Sequence, residues 1–401
     1  MAKILISSLG TGQKKDGGYR KATYRLGEKE PITTTFISKA LCEFLEIDKL
    51  FLVGTKGSIW DSCYAEFGGS DESVELDLYE KQEERKLLES DLKFVEDTID
   101  TALQKSGSRC FLIEYGLDDS ELWRNFQKYI EILESVDDGD IVYIDISHAF
   151  RSLALMSFLM VQFGHGIRQK RFEIGGIFYG MLEYSSENDN IAPIVDLKIF
   201  YELMEWIKAV DNFKNYANGD NISALLQNSP EFRNEYNIFN NYTNAMRIAN
   251  MAAVKKNIQS ISKKLKLLKE SKNPIIRLMT DEMEEFIVRL NQKRMSDFQL
   301  ALANWYCEHK HYALAYMALV EAIVSKSCEV HGYKIDSEDG RNSAKKKIHK
   351  IDRDLSKIYS TVNKIRNNIA HQLQKREDSI IADITNLPKY IQQVESAFKT
   401  I

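Results

Sequence analysis

The sequence predicts an α/β fold in its first half, an open and mostly parallel sheet covered by helices, followed by an all-α second half. Two observations carry this expectation. From residue 3 to about residue 197, short β-rich runs alternate with helical stretches, as crossover connections between parallel strands require. Beyond Phe200 the strand signal stops, and apolar residues recur three and four positions apart, as at Ile199, Leu203, Trp206, Ile207, Val210 and Phe213. A boundary near residue 200 follows, giving domains 1–200 and 201–401, each long enough to bury its own core.

KILISSL is the first strand, and a helix is expected over about 33–45. KLFLVGT, RCFLIEY, DIVYIDIS, FEIGGIFYG and IVDL are the later strands, with helical stretches interleaved among them. The turns GGSDES (from Gly68), DDGD (137–140) and SSENDN (from Ser185) are rich in residues that tolerate turn geometry. In the second half, NGD (Asn218), SP (Ser229), KNP (Lys272) and GYKIDSEDG (Gly332) break the helices, and two long helical segments are expected over about 298–330 and 346–374. The Lys-rich run at 255–272 reads as the solvated face of one helix.

Composition narrows the function. A formal net charge of −5 argues against generic adhesion to nucleic acid, so a polyanion has to be met by local basic patches. The five cysteines, Cys42, Cys63, Cys110, Cys307 and Cys328, are scattered and form no CxxC pair, which points to reduced thiols rather than a zinc ribbon or redox centre. Cys307, His309 and His311 invite a metal reading. On a continuous helix, however, Cys307 and His311 share a face while His309 points away, so no metal is expected. The start MAKILISSLGTG has no long apolar segment, and no apolar stretch is long enough to cross a bilayer; a soluble, cytoplasmic protein is expected.

Three strand ends in the first half carry small and polar residues. The stretch VYIDISHAFR at 142–151 leaves a strand and enters a helix, placing Ser147, His148 and Arg151 where open α/β sheets collect ligands and where a helix N-terminus offers free N–H groups. The first strand ends in SSLGTG, with Ser8, Gly10 and Thr11, and another ends in VGTKGS, with Gly54 and Thr55; such turns let a phosphate or ribose approach the backbone closely. The structural alternative is that Ser147 caps the next helix, Asp145 holds a turn and the glycines merely end strands. Neither a full GxGxxG nor a Walker pattern is present.

The second half carries KIRNNIAH at 364–371. On a helix Asn367 and His371 share a face, while Arg366 and His371 stand about 140° and about 7.5 Å apart, so one helix focuses them poorly. Two copies meeting on a two-fold axis would bring an Arg and a His from each into one cleft. The set suits RNA cleavage by the strand's own 2′-hydroxyl: a His shuttles protons near neutral pH, and a guanidinium meets the charge that builds on phosphorus-bound oxygens. Asn367 would orient the substrate or the imidazole. Lys345, Lys346, Lys347, Lys350 and Arg353 precede the motif as phosphate contacts. Glu321 is a conceivable helper, or a structural polar residue.

Taken together, SLGTG after the first strand, DISHAFR at 145–151, EWIKA from Glu205 and the terminal RNNIAH resemble the CARF/HEPN ancillary ribonucleases of type III CRISPR systems, along nearly the whole chain. The resemblance implies a Rossmann-like CARF sheet over 1–200 that senses a cyclic oligoadenylate, and a helical HEPN domain over 201–401 that cuts single-stranded RNA without a metal or other cofactor. It implies a homodimer, with DNA and membranes outside its partners. Arg366, Asn367 and His371 fall on the catalytic motif, and Ser147, His148 and Arg151, with Gly10 and Thr11, fall on the ligand loops. Ala149 stands where the sensing motif has Gly. Tetra-adenylate is the favoured activator over hexa-adenylate. The alternative is a sensor or ring nuclease whose helical half is a non-catalytic dimerisation or partner-binding module.

Overall fold

The computed structural model describes residues 1–12, 20–148, 152–233, 235–371 and 379–401 in full, and residues 14, 15, 18, 19, 151, 377 and 378 in backbone only. The chain divides into two compact units, Met1–Glu202 and Leu203–Ile401, the division falling within the helix Lys198–Tyr216. Among the described residues, no helix is long and apolar enough to cross a membrane.

The strands of the first unit are β1 (Lys3–Leu9), β2 (Lys14–Lys15), β3 (Gly18–Tyr19), β4 (Ala22–Leu26), β5 (Ile32–Thr34), β6 (Lys49–Thr55), β7 (Arg109–Ile113), β8 (Ile141–Asp145), β9 (Glu173–Gly180) and β10 (Ile191–Asp196). Eight of them form one sheet in the order β5-β4-β10-β9-β8-β1-β6-β7, while β2 and β3 pair separately. From β7 across to β9 every pair is parallel; β10 runs antiparallel to β9, and β5 antiparallel to β4. The chain builds outward from β1 to β6 and β7, then returns to place β8 on β1's other side. That reversal makes the carboxyl ends of β1 and β8 the switch point where a crevice opens.

Two-residue alternation explains why these runs are apolar throughout. Leu5 and Leu9 of β1, with Leu50 and Leu52 of β6, join the core beneath the helices Ile37–Leu45, Trp60–Glu66 and Lys93–Leu103. Ile4, Ile6, Phe51 and Val53 enter the opposite core, beneath Asp119–Glu134 and Arg151–Gly166. A strand covered on both faces has no solvent side to mark with polar residues.

The second unit is helical throughout its described residues, and its centre is the helix Tyr312–His331. Positions from Ala315 to Cys328 are buried nearly all round it, as expected of a helix apolar on every side. Each fully buried aliphatic side chain there, such as Leu319 or Ile323, stabilises the fold by roughly 1.5–3 kcal/mol. Met251–Lys269 is the Lys-rich helix: Val254, Ile258, Ile261, Leu265 and Leu268 are buried, and the lysines lie on the remaining face. Asn273 caps the next helix through Ile275 N–H (2.9 Å), with Pro274 as its first residue, where a missing N–H costs nothing.

Three expected helical segments need correcting. The helix expected at 33–45 begins at Ile37; Ile32–Thr34 is instead β5, paired with β4, because a β-branched run favours the edge of the sheet. The segment at 298–330 is two helices, Met295–Glu308 and Tyr312–His331, broken at Lys310 with φ of 63°. No Gly or Pro marks that break, and it removes the continuous helix on which Cys307, His309 and His311 were placed. The segment at 346–374 is also two helices, Glu338–Ile351 and Arg353–Ala370, separated by Asp352, whose carboxylate caps Leu355 N–H at 2.7 Å. Lys345, Lys346, Lys347 and Lys350 therefore lie on a different helix from Arg366, and residue 374 lies outside the described residues.

Candidate functional site

A cleft of about 580 Å³ opens beyond the carboxyl ends of β1 and β8, with Gly10, Thr11 and Gly12 on one side and His148 on another. The β1 loop can turn sharply because Gly12 takes a left-handed conformation, φ 67°. Gly10 packs against His148: a Cβ built on it would lie 3.6 Å from the histidine Cβ. The loop is held from behind, since Ser58 Oγ donates to Leu9 C=O (2.7 Å) and Ile59 N–H donates to Gly10 C=O (3.2 Å).

Gly54 and Thr55 belong to that support rather than to the wall of the cleft. Thr55 is buried, its N–H donates to Ser58 Oγ (2.9 Å), and its carbonyl accepts Trp60 Nε1–H (2.9 Å). A Cβ on Gly54 would lie 2.7 Å from Trp60 Cζ2, so glycine is needed there for packing. Ser8 alternates away from the cleft, its hydroxyl beside the buried phenol of Tyr129.

Ser147 serves the register of the strand ends. Buried Asp145 accepts from Ser7 Oγ (2.6 Å), Ser147 N–H (2.9 Å) and Ser147 Oγ (2.5 Å), and Ser147 Oγ in turn accepts Gly180 N–H at 2.7 Å. One carboxylate and one hydroxyl thus tie β1, β8 and β9 together at the point where His148 emerges. The described part of the following helix starts at Arg151. Ala149 and Phe150 lie outside the described residues, as does the Arg151 side chain.

His148 Nε2 is buried and has no hydrogen-bond partner among the described residues. Leaving such a group unpaired costs roughly 1–3 kcal/mol, a cost that a bound ligand can relieve. Opposite it, the buried Tyr24 phenol has its pKa pushed up to about 12, first by burial and then by Asp145, with Arg20 opposing. At neutral pH it is a neutral hydroxyl. Arg20 supplies a cation to the wall and Glu183 an anion, the latter accepting Tyr179 Oη–H at 3.0 Å.

In the second unit, Arg366 and Asn367 are half-buried near the end of Arg353–Ala370, and His371 is the exposed residue that closes that helix. The motif sits at a helix terminus, not inside a long helix. His371 N–H donates to the Asn367 carbonyl (2.9 Å), and Arg366 Nη2 donates to Asn363 Oδ1, one turn earlier, at 2.9 Å. Glu321 pairs with Arg341 across two helices. The Tyr359 phenol lies in the field of this cluster: burial raises its pKa most, Arg366 opposes, and Glu321 and Arg341 pull in opposite directions. Among the described residues, no group of three or more His, Cys, Asp or Glu side chains is placed to hold a metal ion. His309 instead stacks on Trp305 at 4.3 Å and hydrogen-bonds its carbonyl.

Comparison with known proteins places these features. Residues 4–183 match the family described as CRISPR system endoribonuclease Csx1, CARF domain, and residues 202–296 match CRISPR-associated protein MJ1674, second domain. CRISPR-associated protein MJ1674 of Methanocaldococcus jannaschii is 31% identical over 432 residues, covering 98% of this chain and 66% of that protein. The chain belongs to the CARF-containing ancillary proteins of type III CRISPR systems. It spans just under two thirds of the length of that relative. Enterococcus italicus Csm6 bound to cyclic hexa-2′-fluoro-hexa-dAMP aligns over 100% of this chain and 95% of that one, with a TM-score of 0.45 and 13% identity.

Of the residues singled out in the CARF sheet, the cleft brings Gly10, Thr11 and His148 together. Arg20, Tyr24, Glu183, Ser185 and Ser186 also line it, and the sequence patterns did not indicate them. They come from the β4 edge and from the turn after β9, segments too short to show periodicity. Asn363 was legible in principle, three residues before Arg366 on the same face of a helix.

Proposed function

We propose that this CARF protein is a metal-independent endoribonuclease for single-stranded RNA, switched on by a cyclic oligoadenylate, with tetra-adenylate favoured over hexa-adenylate. The observation that carries the reading is the presence, on one chain, of a switch-point cleft with an unpaired His148 nitrogen and of an exposed helix end bearing Arg366 and His371. The Csx1 description of the matched CARF domain supports it.

In this reading the adenylate ring sits across two copies of the chain, each offering its cleft, since a ring of identical units can share the two-fold axis of a dimer. Unpartnered apolar side chains support self-association: Leu155 (69% exposed) and Leu159 (57%) lie on the helix Arg151–Gly166, and Ile167 (70%) follows its end. The ligand favours the dimer arrangement in which two Arg366–His371 sets converge, and its differential affinity for that arrangement bounds the activation. One His371 takes the proton of a 2′-hydroxyl, and the freed oxygen attacks phosphorus. The bond to the 5′-oxygen breaks, and that oxygen takes a proton from the other His371, leaving a 2′,3′-cyclic phosphate and a 5′-hydroxyl. The two Arg366 guanidiniums meet the charge on the non-bridging oxygens.

The test is cleavage of a fluorescent single-stranded RNA in EDTA with cyclic tetra-adenylate, cyclic hexa-adenylate or neither, for the wild type and His371→Ala. Activator-dependent cutting that disappears in the variant is the expected result. Activator binding without cutting would instead make the protein a sensor whose helical unit is not catalytic.

A further inference from the structure

The helical unit contains a second cleft, of about 230 Å³, lined by residues that the CARF cleft and the Arg366–His371 helix leave unused. Two left-handed turns create it. Ala217 (φ 53°) ends the helix Lys198–Tyr216, and Lys310 (φ 63°) separates Met295–Glu308 from Tyr312–His331, so that Tyr216, Tyr306 and His311 meet around one space. Gly219 N–H locks the first turn onto Thr243 Oγ1 at 2.8 Å.

The rings form a corner. Tyr216 and Tyr306 stand at 68° and 87° to the His311 ring, with centroids 6.5 and 6.2 Å away, and Trp305 backs His311 at 6.2 Å in a stacked orientation. Tyr216 is 63% exposed, so much of its ring is open to a partner. Met246 and Leu314 complete an apolar lining.

The polar groups around this corner are only partly used. Asn218 Oδ1 accepts Asp220 N–H at 2.9 Å, which leaves its amide N–H groups to donate. Arg247 bonds Asp220 through Nη2 and Asn244 Oδ1 through Nη1 (3.2 Å), with further N–H donors remaining. The His311 ring nitrogens make no hydrogen bond among the described residues. A ring corner alone would also suit an organic cation, but the Arg247 N–H donors that Asp220 and Asn244 leave free favour an anionic acceptor over one. The volume lies below the roughly 300–1,000 Å³ of a site for a drug-sized molecule, which limits the occupant to one planar unit.

We propose that this cleft is a nucleotide-binding site, in which a nucleobase stacks against Tyr216 and the His311 corner while Arg247 holds the attached phosphate. The ligand class is a 5′-phosphorylated nucleoside, either free or as one unit of a single strand; aromatic stacking accepts any base.

Calorimetric titration of the full chain tests this with uridine 5′-monophosphate, uridine, ribose 5-phosphate and 2′-O-methyl hexauridylate, which 2′-hydroxyl attack cannot cut. Measured binding therefore does not depend on the nuclease reading. Tyr216→Ala is expected to weaken uridine 5′-monophosphate roughly 5- to 100-fold. Arg247→Gln is expected to weaken the monophosphate but not uridine, and ribose 5-phosphate is expected to bind at least about tenfold more weakly than the monophosphate. Thermal melting confirms that both variants remain folded. Binding of the hexauridylate but not the monophosphate, lost in both variants, assigns the cleft to a strand. No binding of either probe at millimolar concentration, or binding that neither substitution alters, overturns the proposal.

Discussion

The CARF cleft and the helix end that bears Arg366 and His371 are built on opposite plans. The cleft is concave and braced from behind by Ser58, Trp60 and the Asp145–Ser147 pair, so its shape follows from one chain's packing. At the helix end His371 is exposed, and among the described residues Arg366 donates to Asn363 on its own helix. The difference teaches that a cleft can be preorganised within one fold, whereas Arg366 and His371, on the function proposed above, would need a second copy to form one.

The sharpest way to break the comparison is at the helix end. Arg366→Ala or His371→Ala is expected to lower activated RNA cleavage roughly 10²- to 10⁴-fold, with activator affinity unchanged by calorimetry. Cleavage that survives both would remove the helix end from the chemistry. Next in size is the brace: Gly54→Ala forces a Cβ against Trp60 and should cost roughly 1–3 kcal/mol in urea unfolding. If stability held and only activator binding fell, Gly54 would be a ligand contact after all.

His148→Ala is expected to weaken the activator about tenfold, equivalent to about 1.4 kcal/mol, with little loss of stability because the unpaired Nε2 disappears with the ring. A large drop in stability would mean that His148 is structural. The smallest effect is expected at Asn363→Ala, which frees Arg366 from its tether. A severalfold fall in kcat with KM unchanged fits a hydrogen bond worth roughly 0.5–1.5 kcal/mol. An unchanged kcat would show that the tether plays no part in presenting Arg366.

Much of the first unit was legible because its strands are apolar on both faces and its turns are polar. What escaped was short or unpunctuated. β5 has three residues, and the break at Lys310 has neither Gly nor Pro, so no periodicity or breaker signal announced them. Several of the strand-end residues singled out in the sequence are placed for packing. Gly54 makes room for Trp60, and Ser147 ties three strands, tasks that look the same in a sequence as phosphate binding.

By itself the sequence determined the order of six of the strands, the change from sheet to helices near residue 200, and the RNNIAH motif, because period and composition are local properties. Only the tertiary structure decided which strand-end residues face the cleft. Ser7 and Ser8 are neighbours, yet one binds Asp145 and the other lies beside Tyr129 on the opposite face of the sheet. It alone brought Arg20, Tyr24 and Glu183 to His148, and Tyr216 to His311. Those groups meet through contacts between elements far apart in the chain, and no local pattern encodes such distances.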